Sequence, residues 1–251
     1  MLFSGMTPTR TATARRRRYS APEQQHQYVL SDLLTRIGRA ALEPRQYEML
    51  RSDRAESSVK IFYSGHLDLL DAPAVSIVGT REVSESGWKR AYQLARSLSA
   101  AGVTVVSGLA KGVDTAALSS TIENGGHAVA VIGTPLDKAY PAENTELQQL
   151  IYAQHLLISP FRNGEPVFKS NFPVRNRVMA AISDATVIIE ASDTSGTLHQ
   201  ASECVALKRW LFIAQSVLDD PSLTWPSRFL GYERTVPLRS ADDILTRIGA
   251  K

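Results

Sequence analysis

Arg175 and Arg177 flank Asn176 near the start of NFPVRNRVMAAI (171–182), and two guanidiniums spaced so closely suit one kind of chemistry, the holding of an anion such as phosphate. Pro173 fits the first turn of a helix, whose free backbone N–H groups and partial positive charge add to that attraction. The run leads into an apolar stretch ending at Glu190 and then into SDTSGT (192–197), a small-residue turn before another helical stretch.

Other turns have the same character. Gly79, Thr80 and Arg81 follow AVSIV; Ser107, Gly108, Lys111, Gly112 and Asp114 end or follow TVVS; Gly133 and Thr134 follow AVAVI. Ser195, Gly196 and Thr197 complete the set after ATVIIE. Glycine lets a backbone turn its N–H groups toward an anion, and Thr, Ser, Lys and Arg add donors. Each turn alone is an ordinary strand-to-helix connection, but four of them on one edge would cradle a polyanion or nucleotide.

Catalytic readings are weaker. Asp193, Ser195 and His199 have the residue types of a hydrolytic triad, yet Ser195 and His199 stand one helical turn apart with no oxyanion turn. Neither GxGxxG after the first strand nor GxxxxGK[ST] occurs. His26, His66, His127 and His155 lack metal-ligand spacing, and the single cysteine, Cys204, excludes an internal disulfide and reads as a small buried hydrophobe. No cofactor and no metal are expected.

The elements that must position these turns follow from periodicity. Six short β-branched runs, AVSIV, TVVS, AVAVI, LLIS, ATVIIE and LFIA, alternate with helical stretches such as 87–101 and 113–123. Several runs are apolar at nearly every position, as strands covered on both faces must be. The expected fold is α/β: a doubly wound, mostly parallel, Rossmann-like sheet with helices on both faces and a small helical N-terminal segment. Ligands of such sheets sit outside the carboxyl ends of the strands, where the turns lie.

Within the helix at 87–101, Trp88 and Tyr92 are expected in the core, and 240–248 reads as a terminal helix. The boundaries are 1–27, a disordered basic tail; 28–72, helical, with Leu30, Leu33, Leu34 and Ile37 on one face and a further helix opening at Pro44; and 73–251, the sheet domain.

A chain of 251 residues, 43% hydrophobic, can bury one main core. Its net charge of +3 leaves nucleic-acid affinity to the placement of basic residues. No apolar run approaches the roughly 20 residues of a membrane span, and no apolar stretch follows the arginine run at 15–18 as a secretory signal requires. A cytoplasmic protein without a membrane partner is expected, its arginine run either a solvated tail or a phosphate-contacting arm.

In order along the chain, SIVGTR, VVSGLAKGVDTAA, AVIGTPLDKAYPAEN, NFPVRNRVMAAIS and SGTLHQA resemble the DprA/Smf family of DNA-processing proteins over roughly 73–214. The chain differs from the family pattern at Leu118, Pro160, Gln215 and Ser216. The resemblance implies a Rossmann-like domain that binds single-stranded DNA, forms a homodimer and presents the strand to a RecA-type recombinase during natural transformation, with no catalytic activity. It also implies that Arg81, Ser107, Gly108, Lys111, Gly112, Asp114, Arg175, Asn176, Arg177, Ser195, Gly196 and Thr197 line a phosphate-holding pocket. The alternative is an enzyme resembling the lysine-decarboxylase-like nucleoside monophosphate phosphoribohydrolases. That group carries a glutamate just after its GGxGT turn, where this chain has Leu198, His199 and Gln200, with Glu203 further along and Glu190 as another candidate acid or base.

Overall fold

The computed structural model describes residues 19–39 and 58–250. The arginine run at 15–18 and the helix expected to open at Pro44 lie outside them.

The chain enters through β1 (His26–Val29), α1 (Leu30–Arg36) and β2 (Lys60–Gly65). Strands and helices then alternate: β3 (Ala74–Val78), α2 (Glu85–Ala100), β4 (Thr104–Ser107), α3 (Val113–Glu123), β5 (Ala128–Val131), α4 (Thr145–Gln154), β6 (Leu156–Ser159) and α5 (Asn171–Ala181). The second half continues with β7 (Ala185–Ile188), α6 (Thr197–Ala206), β8 (Trp210–Ala214), α7 (Gln215–Leu218), α8 (Ser227–Leu230), β9 (Thr235–Leu238) and α9 (Asp242–Ile248). Among the described residues nine strands form one sheet in the order β1-β2-β6-β5-β4-β3-β7-β8-β9, in which the strands from β6 through β9 of that order are parallel, β2 pairs antiparallel with β6 and β1 antiparallel with β2.

The expected doubly wound sheet is therefore present, and the strand pattern shows why. Val75 and Ile77 pack into the cluster with Ala91, Leu94 and Leu98 of α2, whereas Ala74 and Val78 pack on the opposite face with Val178, Met179 and Ile182 of the α5 segment. Successive side chains point to opposite faces, so a strand covered on both sides must be apolar throughout.

Three regions differ from expectation. The 28–72 segment is only partly helical: α1 buries Leu30, Leu33 and Leu34 as their spacing requires, but residues 26–29 and 60–65 are strands. The free edge of β6 supplies backbone partners that local sequence does not reveal, and β2 takes them, Phe62 opposite Ser159. Residues 19–27, expected to be disordered, are tethered to the domain, although most of their side chains stay exposed, and 26–27 open β1. The Tyr19 hydroxyl donates to the Leu136 carbonyl at 2.7 Å and accepts from Gln148 Nε2 at 2.9 Å, and the Tyr152 hydroxyl donates to the Ser20 carbonyl. Strand β9 was not expected either; TVPL contains Pro237, which a sheet tolerates because β9 is an edge strand.

Trp88 is also a correction, being 37% exposed rather than in the core. The buried stripe of α2 is Gly87, Ala91, Leu94, Ala95 and Leu98, and Trp88 lies to one side of it. Tyr92, half-buried, donates its hydroxyl to Glu123.

At the amino edge of the sheet, the N–H of His66 donates to the His155 carbonyl at 2.8 Å, and a Cβ on Gly65 would overlap that oxygen. Burial, then the charges of His127 and His66, lowers the pKa of His155 below its ordinary value. The native state then holds fewer protons than the unfolded chain between that lowered value and about 6.5, so stability is intact above the window and is lost as pH falls through it. Urea unfolding at pH 7.5 and 5.5 should show a larger acid loss for the native sequence than for His155→Asn. Equal losses would discard this assignment.

Candidate functional site

Strand β3 pairs with β4 on one side and β7 on the other, so the connections leaving β3 and β7 diverge and a crevice opens beyond their carboxyl ends. A hollow of about 330 Å³ occupies it. Gly79, Thr80 and Arg81 form one wall, Ser195, Gly196 and Thr197 the facing one, and Asp114, Arg175 and Asn176 the base. The turn after β3 is held down by backbone: the N–H of Thr80 donates to the Glu190 carbonyl at 2.7 Å, and a Cβ on Gly79 would come within 2.9 Å of that oxygen.

Arg175 is the centre of the arrangement. It is 7% exposed, and its Nη1 donates to the carbonyls of Gly108 at 2.6 Å and Val131 at 3.0 Å. Its Nε is buried with no acceptor. Burial lowers the pKa of this guanidinium; Asp114 works against the shift and Arg81 adds to it. Burial likewise raises the Asp114 carboxyl, against the pull of Arg175 and of the Ala110 and Gly108 amides. The Asp114 carboxylate accepts from Gly108 N–H at 3.1 Å and Ala110 N–H at 3.2 Å and so fixes the turn after β4. A desolvated cation with an unfilled donor gains most from an arriving anion, because a buried polar group without a partner is costly.

Beside the hollow lies a narrow cleft of about 40 Å³, lined by Gly108, Lys111, Gly133, Tyr140, Arg81 and Arg175. Phe172 lines both spaces. The guanidinium carbons of Arg81 and Arg175 lie 5.8 and 6.0 Å from its ring centroid, and Tyr140, 45% exposed, has its ring 5.7 Å away. A Cβ on Gly133 would stand 2.8 Å from Phe172 Cδ1, so the turn after β5 makes room for the ring.

Three expected site residues lie elsewhere. Arg177 is not beside Arg175: residues two apart on a helix point to nearly opposite sides, and Arg177 Nε donates to Glu203 Oε2 of α6 at 2.9 Å. The idea of a paired-arginine anion site fails for that reason. Ser107 is fully buried and donates its hydroxyl to the Ile77 carbonyl at 2.7 Å. Gly112 has φ +78°, and a Cβ there would overlap the Thr80 carbonyl, so it shapes the turn without facing the hollow. Lys111 reaches the cleft but is paired with Glu143 at 2.6 Å.

Phe172 and Tyr140 were not singled out from sequence; both lie inside quoted motifs, but nothing in their spacing marks aromatics as site residues. Glu190 pairs with neither Arg175 nor Arg177. It accepts from the Ser84 N–H at 3.0 Å and hydroxyl at 2.6 Å, and sits 3.6 Å from Arg90. Asp193 accepts from the Thr224 hydroxyl and the Trp225 N–H, and no triad with Ser195 and His199 is assembled. Among the described residues no helix is long and apolar enough to cross a membrane, and no cluster of metal-ligating residues occurs.

The order of motifs and the sheet agree with the comparisons to known proteins. The family model described as DNA recombination-mediator protein A matches residues 40–249. The DNA processing protein DprA of Streptococcus pneumoniae is 40% identical over 169 residues, covering 67% of this chain and 60% of that protein. The chain thus spans less than two thirds of this relative's length. The X-ray structure of S. pneumoniae DprA superposes with a TM-score of 0.71 at 32% identity, covering 89% of this chain and 74% of that one. The structure of DNA processing protein A from Helicobacter pylori, described for its single-stranded DNA binding mode, gives 0.67 at 25% identity, covering 84% and 94%. With more than half of its length matched by the family model, the chain belongs to the DprA/Smf family of DNA-processing proteins.

Proposed function

We propose that this protein binds single-stranded DNA across the hollow and cleft at the β3/β7 crevice. The observation that carries the reading is the buried Arg175 guanidinium, its Nε without an acceptor, beside the exposed Arg81 and the Phe172 ring. Phosphates would meet Arg175, Arg81 and the backbone and hydroxyl donors of residues 79–81 and 195–197, while Phe172 and Tyr140 offer faces on which bases stack. Stacking and phosphate contacts are sequence-tolerant, so little base preference is expected. The single-strand binding mode described for the H. pylori relative supports the same substrate class. Presentation of the strand to a RecA-type recombinase and homodimerisation belong to the proposal as the roles the family resemblance implies.

The phosphoribohydrolase reading is not favoured. Glu203 is held by Arg177, Glu190 by Ser84 and Arg90, and neither lines the hollow; the carboxylates that do are Glu82, on the rim, and Asp114, which braces a turn.

Fluorescence anisotropy with single- and double-stranded oligonucleotides over a salt series tests the proposal. Single strands should bind more tightly than duplex, with log Kd rising with log salt by about 0.7 for each phosphate neutralised. Arg81→Ala, on an exposed turn, should lower that slope by about one contact without disturbing the fold. Equal affinity for duplex, or a slope unchanged in Arg81→Ala, would sink this reading.

A further inference from the structure

A second cavity, of about 530 Å³, opens at the same carboxyl edge on the other face of the sheet. One wall is a single stripe of α2, Arg90, Gln93, Leu94 and Ser97, at positions i, i+3, i+4 and i+7. Gln215 and Ser216 after β8 face it, with Arg239 and Ser240 after β9, and the floor is Ile189, Ala214 and Leu238.

The polar chemistry of this space is one-sided. Its described lining holds two arginines, two amides and three hydroxyls, and no carboxylate. Arg90 is short of acceptors: its Nε is buried with none, and its Nη2 is 3.6 Å from Glu190, a carboxylate already occupied by Ser84. Arg239 donates through Nε to Gln215 Oε1 at 3.3 Å, which leaves its terminal nitrogens for another acceptor. Nearby Asp243 is turned to the backbone N–H groups of Arg239 and Ser240. Guanidiniums carry donors only, so two of them beside a cavity whose own lining holds no carboxylate favour an anion there. The apolar floor suits a flat organic body, and the volume lies in the range of small-molecule sites.

We propose that this cavity is a second site, distinct from the crevice, for a free nucleoside monophosphate: Arg90 and Arg239 hold the phosphate, the glutamine amides meet the base or sugar, and Leu94, Ile189 and Leu238 pack under the ring. The assignment stands apart from the strand-binding proposal, since no residue is shared between the two spaces.

Isothermal titration of the full chain with adenosine 5′-monophosphate, adenosine and inorganic phosphate tests it. The nucleotide should bind at one site, with adenosine and phosphate each at least about tenfold weaker, the loss expected when a charge-assisted contact or the packed ring is removed. Arg239→Gln, on an exposed loop, should weaken the nucleotide about tenfold and leave single-strand affinity unchanged; Ser97→Trp, which fills the space, should abolish nucleotide binding. Arg81→Ala should leave the nucleotide isotherm as it is. Binding should persist when the protein is saturated with an oligonucleotide. Absence of binding at millimolar nucleotide, loss in Arg81→Ala but not in Arg239→Gln, or displacement by the strand would each overturn the site.

Discussion

Arg175→Ala is expected to weaken single-strand binding by roughly 10- to 100-fold, the equivalent of about 1.5–3 kcal/mol for a lost charge-assisted contact, and to lower the salt slope by about 0.7. Arg177→Ala should behave in the opposite sense: affinity within about twofold of the native protein, but stability lower by roughly 3 kcal/mol, since Glu203 loses its partner in a largely desolvated pair. Gly108→Ala is expected to reproduce the binding defect without touching an arginine, because a Cβ there would overlap the Arg175 guanidinium. Anisotropy titrations beside urea unfolding of each variant separate the two effects. If Arg177→Ala lost binding as severely as Arg175→Ala while remaining folded, the division of labour along α5 would be wrong.

The second large effect concerns the opposite edge of the sheet. Arg39, 6% exposed, makes two bonds to the Asp184 carboxylate, at 2.8 and 3.1 Å, and two to the carbonyls of Leu70 and Ala72. Asp184 in turn accepts from the N–H of Ala74, so one pair ties the amino ends of β3 and β7 to the N-terminal segment. Arg39→Ala leaves a partly buried carboxylate and two carbonyls without donors, and should cost roughly 3 kcal/mol. For a chain of this size that lowers Tm by about 6–12 °C. The exposed Lys89–Glu85 pair provides the contrast; Lys89→Ala should change stability by less than about 0.5 kcal/mol. Thermal unfolding of both variants decides it, and similar small shifts would mean that the Arg39 network is not a structural tie.

How far the molecule was legible depends on whether a feature is local. The runs at 74–78, 104–107 and 156–159 became strands with those bounds, and α3 spans Val113–Glu123, because burial on both faces and glycine punctuation are written into contiguous residues. The turns after those strands were recognisable for the same reason, and nine of the residues expected in the site line one hollow. Strands β1, β2 and β9 were not legible, since each is recruited by the edge of a sheet whose other strands lie far along the chain.

The sequence by itself determined the alternating β/α order, the sheet that follows from it and the edge on which the polar turns collect; these rest on hydrophobic periodicity and on backbone freedom at glycine, both properties of short stretches. Only the tertiary structure decided which polar groups face the crevice. Arg175 turned toward the crevice and Arg177 toward Glu203 of α6 because consecutive helical residues are separated by about 100°, and which side meets the hollow was set by the packing of α5 against the sheet and α6. Phe172 became part of the site because Gly133, 39 positions earlier, left room for its ring, and such a contact has no signature in either segment alone.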